Sequence, residues 1–392
     1  MANLDLNPNI TIYENPGNYI GYAIYPPTDI GGIIINKTLN VTWNGKSRLT
    51  YSLYHASGTI EGDWEIENIG TKDDIDQFLT EIASLITAIA GKKFLNEDEE
   101  LSCLENMRGV GMDLFDRLIP EELRIAVKKW QSGEVLCIST NEQWIPWELI
   151  CDGNGFWGER FLLFRIPRLK NNLALNDQKS SISKRQISSD KTIKVVHVVG
   201  GKIKKVHVEK AKSAFTRLTG TGQASVITLE KKSLAVLMKQ TDNADLLHFT
   251  CHGRTNPLYI QISDKEDKQL NLLITSLKNE TFLLKNGCIV FSNACNSAAP
   301  TVIFGDFVSF GWEFYRKGAA LFIGSIGTIP TEYAIEFSIN FYKRLFKGKA
   351  SIGKAFWDAK QDMKKKSNFF HLLYCLYGNP IFVKNIFEFK EI

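Results

Sequence analysis

Several features that would anchor, cross-link or repeat this chain are missing from it. Its seven cysteines are scattered, with no C-x-x-C pair and an odd total. That pattern speaks against a disulfide framework and for a reducing compartment. No apolar stretch reaches the roughly 18–20 uncharged residues that a membrane helix needs. The opening Met1-Ala2-Asn3-Leu4-Asp5 lacks the basic and apolar regions of a secretory signal. A cytoplasmic protein with no membrane insertion is the expectation. No internal repeat of about 20–50 residues is visible, which excludes a solenoid array. Aromatic side chains are absent from Lys179 to Lys210, inside the most basic stretch of the chain, where Lys179–Lys212 holds 10 basic and 2 acidic residues. Without interleaved aromatics this stretch reads as a solvated linker and helix face rather than a nucleic-acid groove. A nucleic-acid-binding effector is the weaker alternative, and its mark would be a steep fall of binding with salt.

What is present is enough for a large core. The 392 residues are 44% hydrophobic and 23% charged, with a net charge of +4, the profile of a soluble globular protein with two packed units. The charge is uneven: residues 1–100 carry 6 Lys/Arg against 15 Asp/Glu. The first part reads as short strands rich in β-branched and aromatic residues, at Ile10–Tyr13, Gly32–Ile35, Leu39–Trp43 and Leu49–Tyr54, with Asn44-Gly45 as a hairpin turn. A helix follows, capped by Thr71 or Asp73 and carrying Ile75, Phe78, Leu79, Ile82, Leu85, Ile86 and Ile89 at helical spacing. Further helical segments run through Met112–Leu118 and Glu121–Trp130, before a strand at Val135–Ser139. The polar stretch 171–191 is the best linker. These features predict an α+β N-terminal unit over 1–175, a linker over 176–192 and a second unit over 193–392.

Beyond the linker, strands and helices alternate. Strands are expected at Ile193–Val199, Val226–Leu229, Asp245–Thr250, Cys288–Ser292 and Ala319–Ile323. Helices fit Lys204–Leu218, Ser233–Gln240, Phe307–Lys317, Thr331–Phe346 and Ser351–Lys365. That alternation of apolar strands with helices predicts an α/β fold with a mostly parallel sheet covered on both faces. A last apolar run, Leu372–Leu376, ends in Tyr377-Gly378-Asn379-Pro380, a turn expected to lead to an edge.

The chemistry gathers at two strand ends. Leu246-Leu247-His248-Phe249-Thr250-Cys251-His252-Gly253 and Cys288-Ile289-Val290-Phe291-Ser292-Asn293-Ala294-Cys295-Asn296 each run from an apolar strand into a reactive side chain. Catalytic groups of α/β proteins collect at the carboxyl ends of parallel strands. His252 and Cys295 can therefore meet although far apart in sequence, and a thiol beside an imidazole is the minimal nucleophile–base pair for acyl transfer. Gly253 lets a substrate carbonyl approach closely, and the backbone N–H groups of Gly253 and Cys295 are candidate oxyanion donors. His248, inside the strand, reads as structural, and Cys251 points to the opposite face as a core residue. Zinc is disfavoured: His248, Cys251, His252 and Cys295 are competent ligand types, but strand alternation does not set three of them on one side.

His252-Gly253 first and Ala294-Cys295 second is the order and context of the caspase-like clan of cysteine peptidases, although the Q-A-C-[RQG]-G flanks of caspases are absent. The sequence more closely resembles the CHAT domain, a bacterial and archaeal caspase-like peptidase family with His-Phe-x-x-His-Gly and Ser-x-Ala-Cys motifs. Here these are His248-Phe249-Thr250-Cys251-His252-Gly253 and Ser292-Asn293-Ala294-Cys295. Trp144-Ile145-Pro146-Trp147-Glu148-Leu149, Asp152-Gly153, Gly158-Glu159-Arg160-Phe161, Gly305-Asp306 and Lys317-Gly318-Ala319-Ala320 are similar to further segments of that family. The Trp-Pro-Val-Asp-Asp of many members is replaced by Ile326-Gly327-Thr328-Ile329-Pro330-Thr331-Glu332, and the TPR repeats that many members carry are missing.

The resemblance implies a caspase-like catalytic half. The N-terminal half is a candidate degenerate copy without the dyad, with Trp144, Trp147, Phe156 and Trp157 as core between the two. It also implies a cysteine endopeptidase needing no cofactor, with His252 and Cys295 catalytic, acting on a protein substrate in bacterial immunity or regulated cell death under a partner or signal. A bacterial gasdermin or a protease zymogen would fit that setting. Asn293, at the position of the caspase Gln, is a candidate pocket residue or a strand residue bonding a neighbouring loop. Asp306 is a candidate partner for a basic substrate side chain, or an N-terminal acid of the following helix. A catalytically silent scaffold or signal-binding module on the same fold is the alternative.

Overall fold

The computed structural model describes residues 10–15, 19–24, 35–55, 60–91, 97–168, 192–219, 224–241, 244–255, 258–263, 271–279, 282, 284, 287–303, 306–347, 350–365, 369–378 and 380. The expected linker and most of the Gly32–Ile35 strand lie outside them.

In the N-terminal half, β1 (Ile10–Asn15) and β2 (Tyr19–Ile24) form a separate hairpin. They are followed by β3 (Lys37–Trp43), β4 (Leu49–His55) and β5 (Ile60–Ile66). The β3–β4 turn is the expected one, with Gly45 at φ +81° between the paired Trp43 and Leu49. β5 was not legible as a strand because its charged, largely exposed sequence IEGDWEI forms the outer edge. Helices α1 (Lys72–Gly91), α2 (Glu97–Leu118) and α3 (Glu121–Lys128) lead to β6 (Val135–Thr140), the short α4 (Trp157–Arg160) and β7 (Leu162–Pro167). Thr71 caps α1, its Oγ1 accepting from the Asp74 N–H at 3.3 Å.

The C-terminal half continues with β8 (Ile193–Val199), α5 (Lys205–Thr219), β9 (Ala224–Glu230), α6 (Leu234–Thr241) and β10 (Leu246–Thr250). The small strands β11 (His252–Thr255), β12 (Leu258–Gln261) and β13 (Leu272–Leu273) form their own sheet. After β14 (Ile289–Ser292), the hairpin β15 (Thr301–Ile303) and β16 (Asp306–Val308) precedes α7 (Phe310–Arg316). β17 (Leu321–Ser325), α8 (Thr331–Lys347), α9 (Ile352–Lys364) and β18 (Tyr374–Tyr377) complete it.

Eleven strands form one sheet in the order β5-β4-β3-β6-β7-β18-β17-β14-β10-β8-β9. The fold is α/β with a large, mostly parallel sheet flanked by helices. Two parallel blocks, β3-β6-β7-β18 and β17-β14-β10-β8-β9, run in opposite directions because β18 is antiparallel to β17. β18, formed from the last apolar run, is central, bonded to β17 on one side and β7 on the other, and the edge expected beyond the turn that follows it lies outside the described residues. All four of its residues are buried, which suits an apolar strand covered on both faces. The two halves therefore share one sheet. Arg165 of β7 reinforces the seam, pairing with Glu148 and donating to Tyr377 Oη of β18 at 3.2 Å. His371 and Lys364 bond Glu159 of α4 at 2.9 and 2.8 Å. Burial alone would push the Glu159 carboxyl up, but the His371 and Lys364 bonds hold it down at about 2.

Candidate active site

β10 and β14 are neighbours in the second block, with Phe249 opposite Ser292. The Asn293 N–H extends this ladder by donating to the Phe249 carbonyl at 2.9 Å. His252 and Cys295 thus lie equally far beyond one register pair, at the carboxyl end of the block. Their backbones touch: a Cβ built on Gly253 would overlap the Cys295 carbonyl oxygen and stand 3.0 Å from its amide nitrogen. Only glycine allows this approach. The sheet therefore brings together the two residues that the sequence singled out, together with Gly253.

The Cys295 turn hangs on the neighbouring strand β17. Asn296, at φ +58°, takes the left-handed conformation that Asn tolerates. Its N–H donates to the Gly327 carbonyl at 3.1 Å, while the Ala298 N–H donates to the Ser325 carbonyl at 2.8 Å. Cys295 Sγ accepts from the Ile329 N–H at 3.4 Å and lies 3.5 Å from the Ile329 carbonyl, to which the thiol can donate. Burial raises the thiol pKa; the Ile329 N–H, the residue's own amide and the Arg254 charge pull the other way without prevailing.

The half-buried His252 opens β11, paired with Gln261. Its pKa is lowered by burial and then by the Arg254 charge; a hydrogen bond to the Lys202 carbonyl opposes this, and the Lys202 charge adds to the lowering. That carbonyl belongs to the loop after β8, where Lys202 sits at φ +64° and the N–H groups of Gly200 and Gly201 are tied to Thr250 and Ser263, both at 3.0 Å. Arg254 lies two residues from His252 on the same strand, so both project to one side, and it is exposed. Both shifts favour the uncharged form of the group.

Sequence reasoning missed Lys202, Ile329, Arg254 and Tyr374. The first two act through backbone atoms that no side-chain pattern announces, although Gly200-Gly201 after a strand was a usable signal for a loop at the sheet end. Tyr374 donates to Asn293 Oδ1 at 3.0 Å, so Asn293 does bond a neighbouring element. Its Nδ2 is buried without a partner, which leaves an unused amide donor group beside the Cys295 turn.

Asp306 is not brought to the dyad. It is exposed and ion-paired with Lys72 at 3.2 Å, and Lys72 in turn sits over Trp43. Trp43 ends β3, at the end of the sheet remote from Cys295. Nor does Asp306 cap the following helix: residues 306–308 pair as β16, so α7 begins only at Phe310 and Ser309 caps it, accepting from the Trp312 N–H at 3.3 Å. His248 is buried, with Nδ1 2.9 Å from Tyr342 Oη and its ring 5.2 Å from that of His197. Burial and His197 push its pKa down. Cys251 is buried with Sγ 3.5 Å from the Val198 carbonyl. Among the described residues no group of three or more His, Cys, Asp or Glu is arranged to hold a metal ion. Trp147 and Trp157 stack at 6.0 Å inside the N-terminal half, while Trp144 reaches Phe307 across the two halves at 6.3 Å.

A sheet that sets His-Gly and Ala-Cys beyond adjacent parallel strands defines the caspase-like class, and solved structures agree on the fold. Two crystal structures of the Saccharomyces cerevisiae separase–securin complex superpose with TM-scores of 0.51 and 0.52 at 11% and 10% identity. They cover 88% and 87% of this chain but only 30% of the matched one. The chain belongs to the CHAT-domain family, whose model matches residues 108–375. No curated protein matches it by sequence. Family and fold together support a function of the cysteine-protease type. Among the described residues no helix is long and apolar enough to cross a membrane.

Proposed function

We propose that this protein is a cysteine endopeptidase that cleaves a partner protein through His252 and Cys295. The observation that supports the reading is the contact of Gly253 with the Cys295 peptide, which holds the loops bearing His252 and Cys295 together beyond adjacent strands. As the Cys295 sulfur attacks the scissile carbonyl, its proton passes to neutral His252, whose depressed pKa keeps the base form available. The carbonyl oxygen becomes an oxyanion, for which the Gly253 and Cys295 N–H groups are the proposed donors. Collapse breaks the C–N bond, and His252 returns the proton to the leaving amine. Water, deprotonated by His252, then hydrolyses the thioester and regenerates the thiol. No cofactor enters this cycle.

The thiol bound against Ile329 fits an enzyme held at low activity until a partner or signal acts. Separase in the two similar structures is held in complex with securin, a precedent for a protein partner on this fold. Bacterial immunity or regulated cell death, in the cytoplasm, is the setting we favour, with a bacterial gasdermin or a protease zymogen as the kind of substrate. Asn293, with its unpartnered Nδ2, is the proposed pocket residue. The division of labour is a catalytic unit over 193–392 and a dyad-free unit over 1–175.

The test is cleavage of a peptide library by the wild type, Cys295→Ala and His252→Ala, with genomic-neighbour proteins added. Cleavage lost in both variants supports the reading. Absence of any Cys295-dependent cleavage overturns it in favour of a silent scaffold.

A further inference from the structure

The loop that binds the catalytic sulfur is itself held by the N-terminal half. Ile326–Ile329 leaves β17, offers the Ile329 N–H to Cys295 Sγ and the Gly327 carbonyl to the Asn296 N–H, at 3.4 and 3.1 Å. Its own support comes from three sides. The Ile326 N–H donates to the Leu373 carbonyl at 2.8 Å. Ser325 Oγ accepts from the Gly327 N–H at 3.1 Å. The third support is α1, whose buried Ile86 lies so near that a Cβ on Gly327 would stand 2.7 Å from Ile86 Cγ2. One residue along, Thr87 Oγ1 is 3.3 Å from Thr328 Oγ1.

The other end of α1 is fixed far from the dyad. Lys72 pairs with Asp306 at 3.2 Å and lies 5.6 Å from the Trp43 ring centroid. The helix has 20 residues, about 30 Å at 1.5 Å per residue. It therefore runs from the end of β3 to the thiol loop as one rigid body, and its outer face, including Asp73, Asp74, Asp76 and Glu81, is exposed.

We infer that α1 sets the reactivity of Cys295, with Ile86 as a positioning residue that presses the Gly327 turn into the place where the Ile329 N–H meets the sulfur. The inference rests on Cys295 being the nucleophile, and it gives a partner engaging α1 a route to the thiol without touching the substrate site. The Ile329 N–H favours the thiolate, so withdrawing it raises the thiol pKa and slows reaction at neutral pH.

Alkylation of Cys295 by iodoacetamide, followed on its peptide by mass spectrometry across pH, reads this without any substrate. Gly327→Ala drives a methyl against Ile86; its alkylation midpoint is expected to move to higher pH, with the rate at pH 7 falling at least several-fold. Adding Ile86→Ala makes room for that methyl and is expected to return the profile to within about twofold of wild type. Thr87→Ala, on the exposed side of α1, is expected to give a smaller shift in the same direction with folding intact. Ile75→Ala, the same kind of truncation three turns back along the helix, is expected to leave the profile in place. A Gly327→Ala profile that stays put or moves down, a double variant that is not restored, or an equal shift in Ile75→Ala overturns the inference. An α1-dependent thiol in a protein that cleaves nothing leaves the positioning role standing and removes the peptidase reading alone.

Discussion

The sheet has two places where parallel strands end together, and they are built differently. At the end of β6 the chain closes on itself. Glu142 accepts from the N–H groups of Trp144 and Ile145 at 2.9 and 2.8 Å and from Trp147 Nε1 at 2.7 Å. Burial raises its pKa against those bonds and the Arg165 charge. At the ends of β10 and β14 the turn is held through backbone groups instead. The turn around Cys295 closes partly on itself, through the Ser297 and Ala299 N–H groups, but is also tied to β17 and the loop after it, and its peptide meets Gly253. A strand end is a place where chemistry can collect. What sets the second end apart is that its loop is also held from a neighbouring strand.

The sharpest way to break the Cys295 end is Gly253→Ala. The added methyl overlaps the Cys295 carbonyl, so the two loops must part. A displacement of about 1 Å costs on the order of 100-fold in rate. We expect at least that loss in Cys295-dependent cleavage with little change in Tm, and an equal fall in both would show the contact to be merely structural. Glu142→Gln tests the closed end. It turns an acceptor into a donor facing N–H groups, which should cost about 1–3 kcal/mol of stability. Thermal unfolding measures this, and the Cys295 alkylation profile is expected to stay in place.

The smallest effect is at Arg254. Its charge lowers the pKa of both His252 and Cys295, so Arg254→Gln should raise both. The acid limb of kcat/KM, set by His252 losing its proton, moves to higher pH. So does the rise of Cys295 alkylation. Because Arg254 is exposed, the difference from wild type should fade as salt is added. A shift indifferent to salt would locate the effect in packing instead.

Much of this was legible along the chain. Apolar runs flanked by helical periodicity gave the parallel strands, and a Gly after one reactive residue and an Ala before the other gave the pair. What was not legible shares one cause. Leu372–Leu376 reads as an apolar run, yet only two-sided burial and hydrogen bonds on both sides put it at the seam. Phe307 looks helical by composition, yet Thr301–Ile303 captures residues 306–308 as a hairpin, and Asp306 is carried to Lys72. β5 hid because its polar sequence suits an exposed edge.

The sequence by itself determined which side chains can do chemistry and that two of them follow strands, because strand burial and reactive residue types are local properties. The contact of Gly253 with the Cys295 peptide, the remoteness of Asp306, the bond between the Cys295 sulfur and the Ile329 N–H and that between His252 and the Lys202 carbonyl were decided only in three dimensions. They rest on strand order, on backbone amides and carbonyls that every residue carries, and on a helix reaching from one end of the sheet to the other, none of which leaves a mark in residue type.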